Sequence, residues 1–425
     1  MTISLEKKKT FYIILSYFLK GFILISLVFL SQFYFSYVIL LFILFSASLL
    51  DKTKFENKNR LINLQIVIFS YLLGGFFWLF TLEKGTLILI ILLVTYNIPF
   101  FISYLLKIPF VLIYIVFELL LNLLEHSIPF VGLGNFFAQN AEAVYWYSYT
   151  TSIGGSFWLV LIGWIYFKFK NYYLVVLMFI FPIIFSLWIS QLNFKKTQEL
   201  PHINIISQSH ENSNIDYLAT LEEELKNIPF FDSNSKTFAI LPEASIQGVN
   251  LNKFKNSINY LRISKFTNKG VIFVGGVTFY NTETKKPLTG ALIFKDKEDF
   301  HFQSKKKMVF YTEFIPDFFS TIFGVNKMTY FFDKNNLFPH YKDDFSVLVC
   351  YEAFYPFFVR DKLKDADYAF ILSSEEFLEG SYYGAKFYNN QIKLRSIENK
   401  ITIFKFTTAG ENLIFFKDGN SSKQL

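Results

Sequence analysis

Hydrophobic residues are distributed unevenly along this 425-residue chain, and this unevenness constrains the fold more than any other feature. Residues 10–194 consist largely of Phe, Leu, Ile, Val and Tyr, whereas residues 195–425 have the composition of a globular domain. Over the whole chain, a hydrophobic content of 52% and a mean hydropathy of +0.34 are too high for an ordinary soluble protein. We therefore expect a membrane domain over residues 1–194 and a soluble domain over residues 195–425, which is long enough to form its own core.

Seven segments of the first part are candidates for membrane-spanning helices, each of which needs about 20 predominantly apolar residues. They cover residues 11–30, 33–50, 61–82, 86–106, 108–124, 151–167 and 172–192. Only Ser31 and Gln32 separate the first two segments, so a count of six helices stays open as the alternative. A cleaved signal peptide does not explain the N-terminus, because many further apolar segments follow it.

Positive charges alternate between successive loops of the membrane part. One set of loops carries Lys7, Lys8, Lys9, Lys52, Lys54, Lys58, Arg60, Lys107, Lys168 and Lys170, and the opposite set carries only Lys84. Because positively charged loops stay in the cytoplasm, seven helices place residues 195–425 on the extracytoplasmic side. The net charge of +7 mostly reflects these lysines, so we expect no nucleic-acid partner.

The connection between the fifth and sixth predicted helices has two interpretations. It is rich in aromatic residues, including Trp146, Tyr147 and Tyr149, and leads into Gly154-Gly155-Ser156. One interpretation is an aromatic belt at the membrane interface, with close helix packing at the glycines. The other is a lipid-facing loop that helps to admit substrate.

Strand-like and helical segments alternate in the second part. Strands are predicted at residues 203–206, 238–241, 271–276, 277–281, 290–294, 345–350, 368–373 and 401–406, and helices at 215–227, 254–265 and 385–399. This alternation, with a hairpin-like pair in the middle, is typical of a layered α/β domain with a mixed sheet. The sequence contains no GxGxxG motif, no P-loop and no Cys/His metal-binding spacing.

Three groups of polar residues lie at or just beyond predicted strands: Glu243, then Lys305 with Glu313, then Cys350 with Tyr351 and Glu352. Cys350 is the only cysteine of the chain. A thiol nucleophile needs a base that takes its proton and a cation or donor that holds the oxyanion. Taken singly, these residues fit a strand-end cap, solvated charges and a small buried hydrophobe. Their joint occurrence in the order Glu, Lys, Glu, Cys predicts a thiol active site without histidine.

In this order of residues the chain resembles the nitrilase superfamily, whose Glu-Lys-Cys triad lies on an αββα sandwich. The membrane part makes it similar in particular to the apolipoprotein N-acyltransferases, especially their Bacteroidetes-like members. The resemblance runs along most of the chain and is carried by Pro129 to Asn135, Trp146 to Trp158, Leu241-Pro242-Glu243, the eight-residue spacing from Lys305 to Glu313, Val349-Cys350-Tyr351-Glu352 and Gln391 to Glu398. It implies a multi-pass α-helical membrane domain followed by a nitrilase-like αββα sandwich.

The resemblance also implies a chemistry. Glu243 is then the general base, Lys305 the oxyanion cation and Cys350 the nucleophile, and the supporting residues are Glu313, Tyr351 and Glu352. The implied reaction moves an acyl chain from a membrane phospholipid, through a thioester on the cysteine, to the N-terminal α-amine of a diacylated apolipoprotein. No metal or organic cofactor is implied. The implied location is the bacterial inner membrane, where a monomer carries its catalytic domain on the periplasmic side.

Several segments depart from the family pattern. Ser373-Ser374-Glu375-Glu376 stands where the family has an Asn-Asp-Gly-Trp-like loop, which places two extra acids near the predicted site. The short stretch from Cys350 to Leu425 leads us to expect that the family's final strands and closing membrane helix are absent. Two other functions stay open: a membrane-anchored nitrilase-type amidase, which would hydrolyse the thioester, and a catalytically impaired scaffold of the same fold.

Overall fold

The computed structural model describes residues 2–51, 58–82, 85–124, 127–140, 143–193, 203–207, 216–227, 236–281, 286–296, 300–309, 313, 343–378 and 380–423. The chain forms two compact units. The first comprises Met1–Leu120, Val131–Asn193 and Gly380–Leu394, and the second comprises Leu121–Phe130, Phe194–Glu379 and Arg395–Leu425.

The apolar part of the chain folds into helices that coincide with the predicted spans. These are α1 (Thr2–Phe33), α2 (Val38–Asp51), α3 (Lys58–Phe76), α4 (Gly85–Leu106), α5 (Phe110–Leu123), α6 (Tyr147–Phe169) and α7 (Tyr172–Asn193). Within the described residues, five of them are long and apolar enough to cross a membrane, and α2 and α5 are shorter apolar helices. The multi-pass helical part of the predicted fold is confirmed. Residues 34–37 break the helix between α1 and α2, so the first two predicted spans are separate helices.

The aromatic connection before α6 is packed inside the first unit. Its residues Leu133–Gln139 form a 3₁₀ turn, in which the backbone N–H of Gly134 donates to the hydroxyl of Ser156 at 2.7 Å. Trp146 packs edge-on against Trp158, with ring centroids 5.9 Å apart. A Cβ on Gly155 would lie 1.9 Å from the Tyr147 hydroxyl, so only glycine fits there. These contacts favour close helix packing over a lipid-facing loop.

The second unit contains two five-stranded sheets. The strands are β1 (Ile203–Ser207), β2 (Lys236–Asn250), β3 (Val271–Asn281), β4 (Lys286–Phe294), β5 (Phe300–Ser304), β6 (Phe345–Val349), β7 (Tyr368–Ser373), β8 (Thr402–Thr407), β9 (Leu413–Phe415) and β10 (Ser421–Lys423). The first sheet has the order β1-β2-β3-β4-β5 and the second the order β10-β9-β8-β7-β6. Each sheet has three parallel strands that continue into two antiparallel ones.

Alternating side chains of the strands build a core on each face of the first sheet. Phe238, Ile240 and Val274 face the second sheet, where they pack with Phe370 and Phe404. On the opposite face, helix α8 (Tyr217–Asn227) packs against β1 and β2, and helix α9 (Ile258–Thr267) packs against β3 and β4. Burying one apolar face of each element in this way is what drives layered folds together.

The second sheet also packs against a helix. Helix α10 (Pro356–Leu363) contacts β6, and Arg360 of α10 donates to the carbonyl of Glu398 at the end of α11 (Tyr382–Asn399). The layers therefore follow in the order helix, sheet, sheet, helix. The αββα sandwich expected from the sequence is confirmed.

Three strands were not predicted from the sequence, and one predicted pair proved to be continuous. The segments 271–276 and 277–281 form the single strand β3. Strand β5 contains His301, Gln303 and Ser304, so it lacks the apolar run that marked the other strands. Strands β9 and β10 are only three residues long, and all three residues of β10 are exposed. Strands of three residues are too short to show an alternating pattern.

Candidate active site

Cys350 is the first residue after β6 and begins a 3₁₀ turn, Cys350–Phe354, which we call the cysteine turn. Its backbone φ is +45°, in the left-handed region that residues other than glycine rarely occupy. Backbone strain of this kind costs about 1–3 kcal/mol and is concentrated at functional sites. The residue is 4% exposed and belongs to the core between the two sheets. The turn therefore holds a buried thiol in a strained conformation at the end of an edge strand.

Glu243 lies in an interruption of β2. The register of β2 against β3 shifts between Leu241 and Ile246, and Ala244 has a φ of +56°. Extra residues in one strand re-aim a side chain, which is a common use of β-bulges. Gly276 of β3 leaves room for the bulge at Glu243, because a Cβ at position 276 would lie 2.4 Å from the Cα of Glu243. As a result, the carboxylate of Glu243 is buried within an otherwise apolar part of β2.

Lys305 follows β5 and is 1% exposed. Its ammonium donates to Oε1 of Glu243 at 2.8 Å and to Oε1 of Glu313 at 2.7 Å. Burial lowers the pKa of Lys305, but the charges of the two carboxylates outweigh burial and raise this pKa well above its ordinary value. The lysine is therefore a fixed cation between two acids.

Glu313 is held in place by its second oxygen. That oxygen accepts a hydrogen bond from the backbone N–H of Val309 at 2.7 Å. Burial raises the pKa of Glu313 above its ordinary value, and the charge of Lys305 opposes this rise. The structure thus brings Glu243, Lys305 and Glu313 together, as the sequence predicts.

The thiol of Cys350 joins this cluster through Glu243, with which it forms a side-chain hydrogen bond. Burial raises the pKa of Cys350 well above its ordinary value, the negative charge of Glu243 raises it further, and Lys305 opposes both. Burial and the neighbouring carboxylate therefore favour the neutral thiol over the thiolate. A nucleophile in this state requires a base, and the group that accepts its hydrogen bond is placed to be that base.

Glu352 connects the two segments that carry the lysine and the thiol. Its carboxylate accepts from the backbone N–H of Lys306 at 2.8 Å and from that of Val349 at 2.9 Å. The ammonium of Lys362 in α10 lies 2.9 Å from Oε2 of Glu352, and both side chains are buried. Burial raises the pKa of Glu352, but Lys362 and the two backbone donors bring it below its ordinary value. Glu352 is therefore an ionised link that fixes the spacing between the end of β5 and the cysteine turn.

Tyr351 directs its hydroxyl to a different part of the second unit. The hydroxyl donates to the backbone carbonyl of Ser127 at 2.9 Å, and Tyr355 donates to the same carbonyl at 3.1 Å. The Tyr351 ring packs edge-on against Phe130, with ring centroids 6.4 Å apart. The side chain thus ties the cysteine turn to residues 127–130, while the backbone amide of Tyr351 follows Cys350 directly.

Two hydrogen bonds that support this region were missed by sequence reasoning. The backbone N–H of Ser374 donates to Oε2 of Glu243 at 3.2 Å. Gln303 of β5 donates to the carbonyl of Val347 in β6 at 2.8 Å, which joins the edge strands of the two sheets. A backbone donor leaves no mark in a sequence. A glutamine in a buried strand does, and that signal could have identified β5.

The arrangement contains the components of thiol-based acyl transfer. The carboxylate of Glu243 lies beside the thiol, the buried ammonium of Lys305 contacts that carboxylate, and the backbone amide of Tyr351 follows the thiol directly. Cations and backbone donors of this type stabilise the oxyanion of a tetrahedral intermediate.

Comparison with known proteins gives matches among solved structures alone. No protein-family model matches the sequence, and no curated protein matches it. Saccharomyces cerevisiae Nit3, a member of branch 10 of the nitrilase superfamily, shares 15% identity over 52% of this chain and 82% of its own, with a TM-score of 0.33. A CN-hydrolase superfamily protein from Xanthomonas campestris shares 14% identity over 52% of this chain and 85% of its own, with a TM-score of 0.36.

Glutamine-dependent NAD+ synthetase from Acinetobacter baumannii is similar over 52% of this chain and 43% of its own, with 14% identity and a TM-score of 0.32. These scores are low, so the fold assignment rests on the two sheets and their helical layers. Fold and site together define a chain with apolar, membrane-length helices and an αββα sandwich in which Glu243 and Lys305 form a buried ion pair beside Cys350.

Proposed function

We propose that this protein is an apolipoprotein N-acyltransferase that moves an acyl chain from a membrane phospholipid to the N-terminal α-amine of a diacylglyceryl-cysteine lipoprotein. One observation carries the proposal. The buried ammonium of Lys305 contacts Glu243 and Glu313 beside the thiol of Cys350, in a chain that also carries apolar helices of membrane length.

In the first half-reaction, the carboxylate of Glu243 accepts the proton of the Cys350 thiol as sulfur attacks the ester carbonyl carbon of the phospholipid. Lys305 and the backbone amide of Tyr351 stabilise the oxyanion that forms on the carbonyl oxygen. Collapse of this intermediate breaks the ester C–O bond, and the proton held by Glu243 passes to the departing alcohol. The products are a lysophospholipid and an acyl thioester on Cys350.

In the second half-reaction, the free α-amine of the apolipoprotein attacks the thioester carbonyl. Glu243 accepts a proton from the attacking nitrogen, and the same donors stabilise the second oxyanion. Breaking the C–S bond leaves an amide, and the proton returns to the sulfur. Since each substrate reacts with a different form of the enzyme, the kinetics are expected to be ping-pong.

Both proposed substrates are anchored in a membrane, which fits a catalytic sandwich attached to apolar helices. The distribution of Lys and Arg among the loops supports an extracytoplasmic position for the sandwich, which is the periplasmic side of a bacterial inner membrane. We expect a monomer to suffice, because the proposed triad comes from one chain. The reaction as written uses the chain's own groups and needs no organic cofactor.

The proposal is tested by expressing the full chain in membranes with a diacylated apolipoprotein and determining the mass of the lipoprotein N-terminus. We expect N-acylation that is abolished by Cys350→Ala. In Glu243→Gln it should fall about 10²- to 10⁴-fold, the usual contribution of a general base. Glu376→Gln serves as the matched control, because Glu376 is an exposed acid of the same unit.

Three outcomes would contradict the proposal. N-acylation that persists in Cys350→Ala would exclude the thioester route. A thioester that yields only free fatty acid would indicate a membrane-anchored amidase or hydrolase. If no thioester forms with any phospholipid, the chain is a scaffold of the same fold.

A further inference from the structure

A second buried ion pair lies at the ends of β7 and β8. Lys405 of β8 donates to Oε1 of Glu375 at 2.6 Å, and the two residues are 0% and 4% exposed. The Ser373 hydroxyl also donates to Oε1 of Glu375, at 3.4 Å. We call these two charged residues the Glu375–Lys405 pair. Glu375 is one of the extra acids noted in the sequence, and Lys405 lies inside an otherwise apolar strand.

Hydrogen bonds connect the residues that follow β7 to those that follow β8, next to this pair. The backbone N–H of Thr408 donates to the carbonyl of Ser373 at 3.3 Å, and its hydroxyl donates to the hydroxyl of Ser374 at 3.2 Å. Gly410 has a φ of +95°, and a Cβ there would lie 3.2 Å from the Glu375 carboxylate. The end of β8 therefore encloses the residues that follow β7.

The same segment contacts the candidate active site. Ser374, directly before Glu375, donates its backbone N–H to Oε2 of Glu243, whose Oε1 accepts from Lys305. The two oxygens of the Glu243 carboxylate are thus held by donors from opposite sheets. A shift of the Ser374 amide would rotate this carboxylate relative to the Cys350 thiol.

We propose that the Glu375–Lys405 pair positions Glu243, by fixing the turn whose Ser374 N–H holds one oxygen of its carboxylate. Glu375 and Lys405 are positioning residues in this account, since both act through Ser374. The inference rests on the proposed function in one respect, namely the role of Glu243 as the base for Cys350.

Stability alone does not explain a pair of this kind. Replacing a buried ion pair by apolar residues of similar volume is often neutral or stabilising, because both charges must be desolvated. Burial raises the pKa of Glu375 and lowers that of Lys405, and each shift is opposed by the charge of the partner. What the pair adds over an apolar contact is a directional hydrogen bond that joins Glu375, just after β7, to Lys405 of β8.

The pH dependence of alkylation at Cys350, the only cysteine of the chain, reports the position of Glu243 directly. A carboxylate that accepts a hydrogen bond from a thiol raises the pKa of the thiol, so moving Glu243 away lowers the pH midpoint for alkylation of Cys350. The charged and titratable groups that face Cys350 from the surrounding elements are Glu243 of β2, Lys305 and Glu313 after β5, Tyr351 of its own turn and Lys405 of β8.

The experiment measures the rate of Cys350 alkylation by iodoacetamide against pH in the full chain, followed by intact mass. Glu243→Gln and Glu375→Met are each expected to lower the midpoint, by about one pH unit for loss of a neighbouring charge. Glu376→Gln is the control, because this neighbour is exposed. The double variant Glu375→Met with Lys405→Met keeps the fold testable, since it leaves no unpaired buried charge.

A double-mutant cycle separates positioning from general loosening of the core. If the pair acts through Glu243, the charge-neutral double variant Glu375→Met with Lys405→Met causes no further shift in a Glu243→Gln background. A further shift there, or a wild-type midpoint in the folded double variant, would overturn the inference. If Glu243→Gln itself leaves the midpoint unchanged, the proposed base fails instead, so the two failures are distinguishable.

Discussion

The ion pair between Glu352 and Lys362 gives a quantitative test of how the cysteine turn is held. Glu352 is fully buried and accepts hydrogen bonds from two backbone N–H groups and from the ammonium of Lys362. The substitution Glu352→Gln keeps the size of the side chain but removes its charge. It leaves a buried ammonium unpaired and turns an NH₂ group toward donors that previously met an oxygen.

Removing one partner of a buried ion pair costs about 3–5 kcal/mol. For a domain of 150–250 residues, each kcal/mol lowers Tm by about 2–4 °C. We therefore expect Glu352→Gln to lower the Tm of the second unit by roughly 6–20 °C. Adding Lys362→Met should recover part of this loss, because the unpaired ammonium is the main cost.

A maleimide dye that fluoresces on reaction with a thiol measures this unfolding, since Cys350 is buried and is the only cysteine. The full chain is heated in detergent, and the appearance of the adduct is followed. Glu376→Gln, at an exposed acid, is the matched control and should shift Tm by less than about 2 °C. If Glu352→Gln behaves like this control, Glu352 does not hold the cysteine turn as described.

Further predictions concern pH, the lysine and the bulge. Because the folded-state pKa of Glu352 lies below its ordinary value of 4.5, its stabilisation is complete above pH 4.5 and is lost as pH falls further; the Tm gap between wild type and Glu352→Gln should close over that range. Lys305→Met should slow thioester formation about 10²- to 10³-fold in a single-turnover assay, the usual cost of losing an oxyanion donor. Gly276→Ala should destabilise the second unit by about 1–3 kcal/mol and reduce N-acylation, because the new Cβ meets the Glu243 backbone. Gly21→Ala is the control, since the nearest atom there is 3.8 Å away.

Much of the fold was predictable because its signals are local. Long apolar runs identify the helices of the first unit, and buried strands such as Phe345–Val349 stand out by their apolar residues. Strand β5 was missed because its polar residues bond across to the second sheet, as Gln303 does to Val347. Pairing partners far apart in sequence leave no local pattern.

The sequence indicated which residues form the cluster around Cys350, but it did not indicate the groups that hold them in place. Glu243, Lys305 and Glu313 follow or interrupt strands, and their side-chain chemistry marks them. The Ser374 amide and the Glu375–Lys405 pair depend on how β7 and β8 end side by side. The sequence marked Glu375 as an extra acid near the site, but it did not indicate that Lys405 of β8 is its partner.

The most direct test of the central claim is the mass of the protein after incubation with phospholipid alone. Without an apolipoprotein acceptor, the account predicts an adduct with the mass of one acyl chain on Cys350, which hydroxylamine removes and Cys350→Ala lacks. Addition of a diacylated apolipoprotein should discharge it with transfer of the chain to the N-terminal amine. An unmodified Cys350 under these conditions, with the chain folded, would contradict the account.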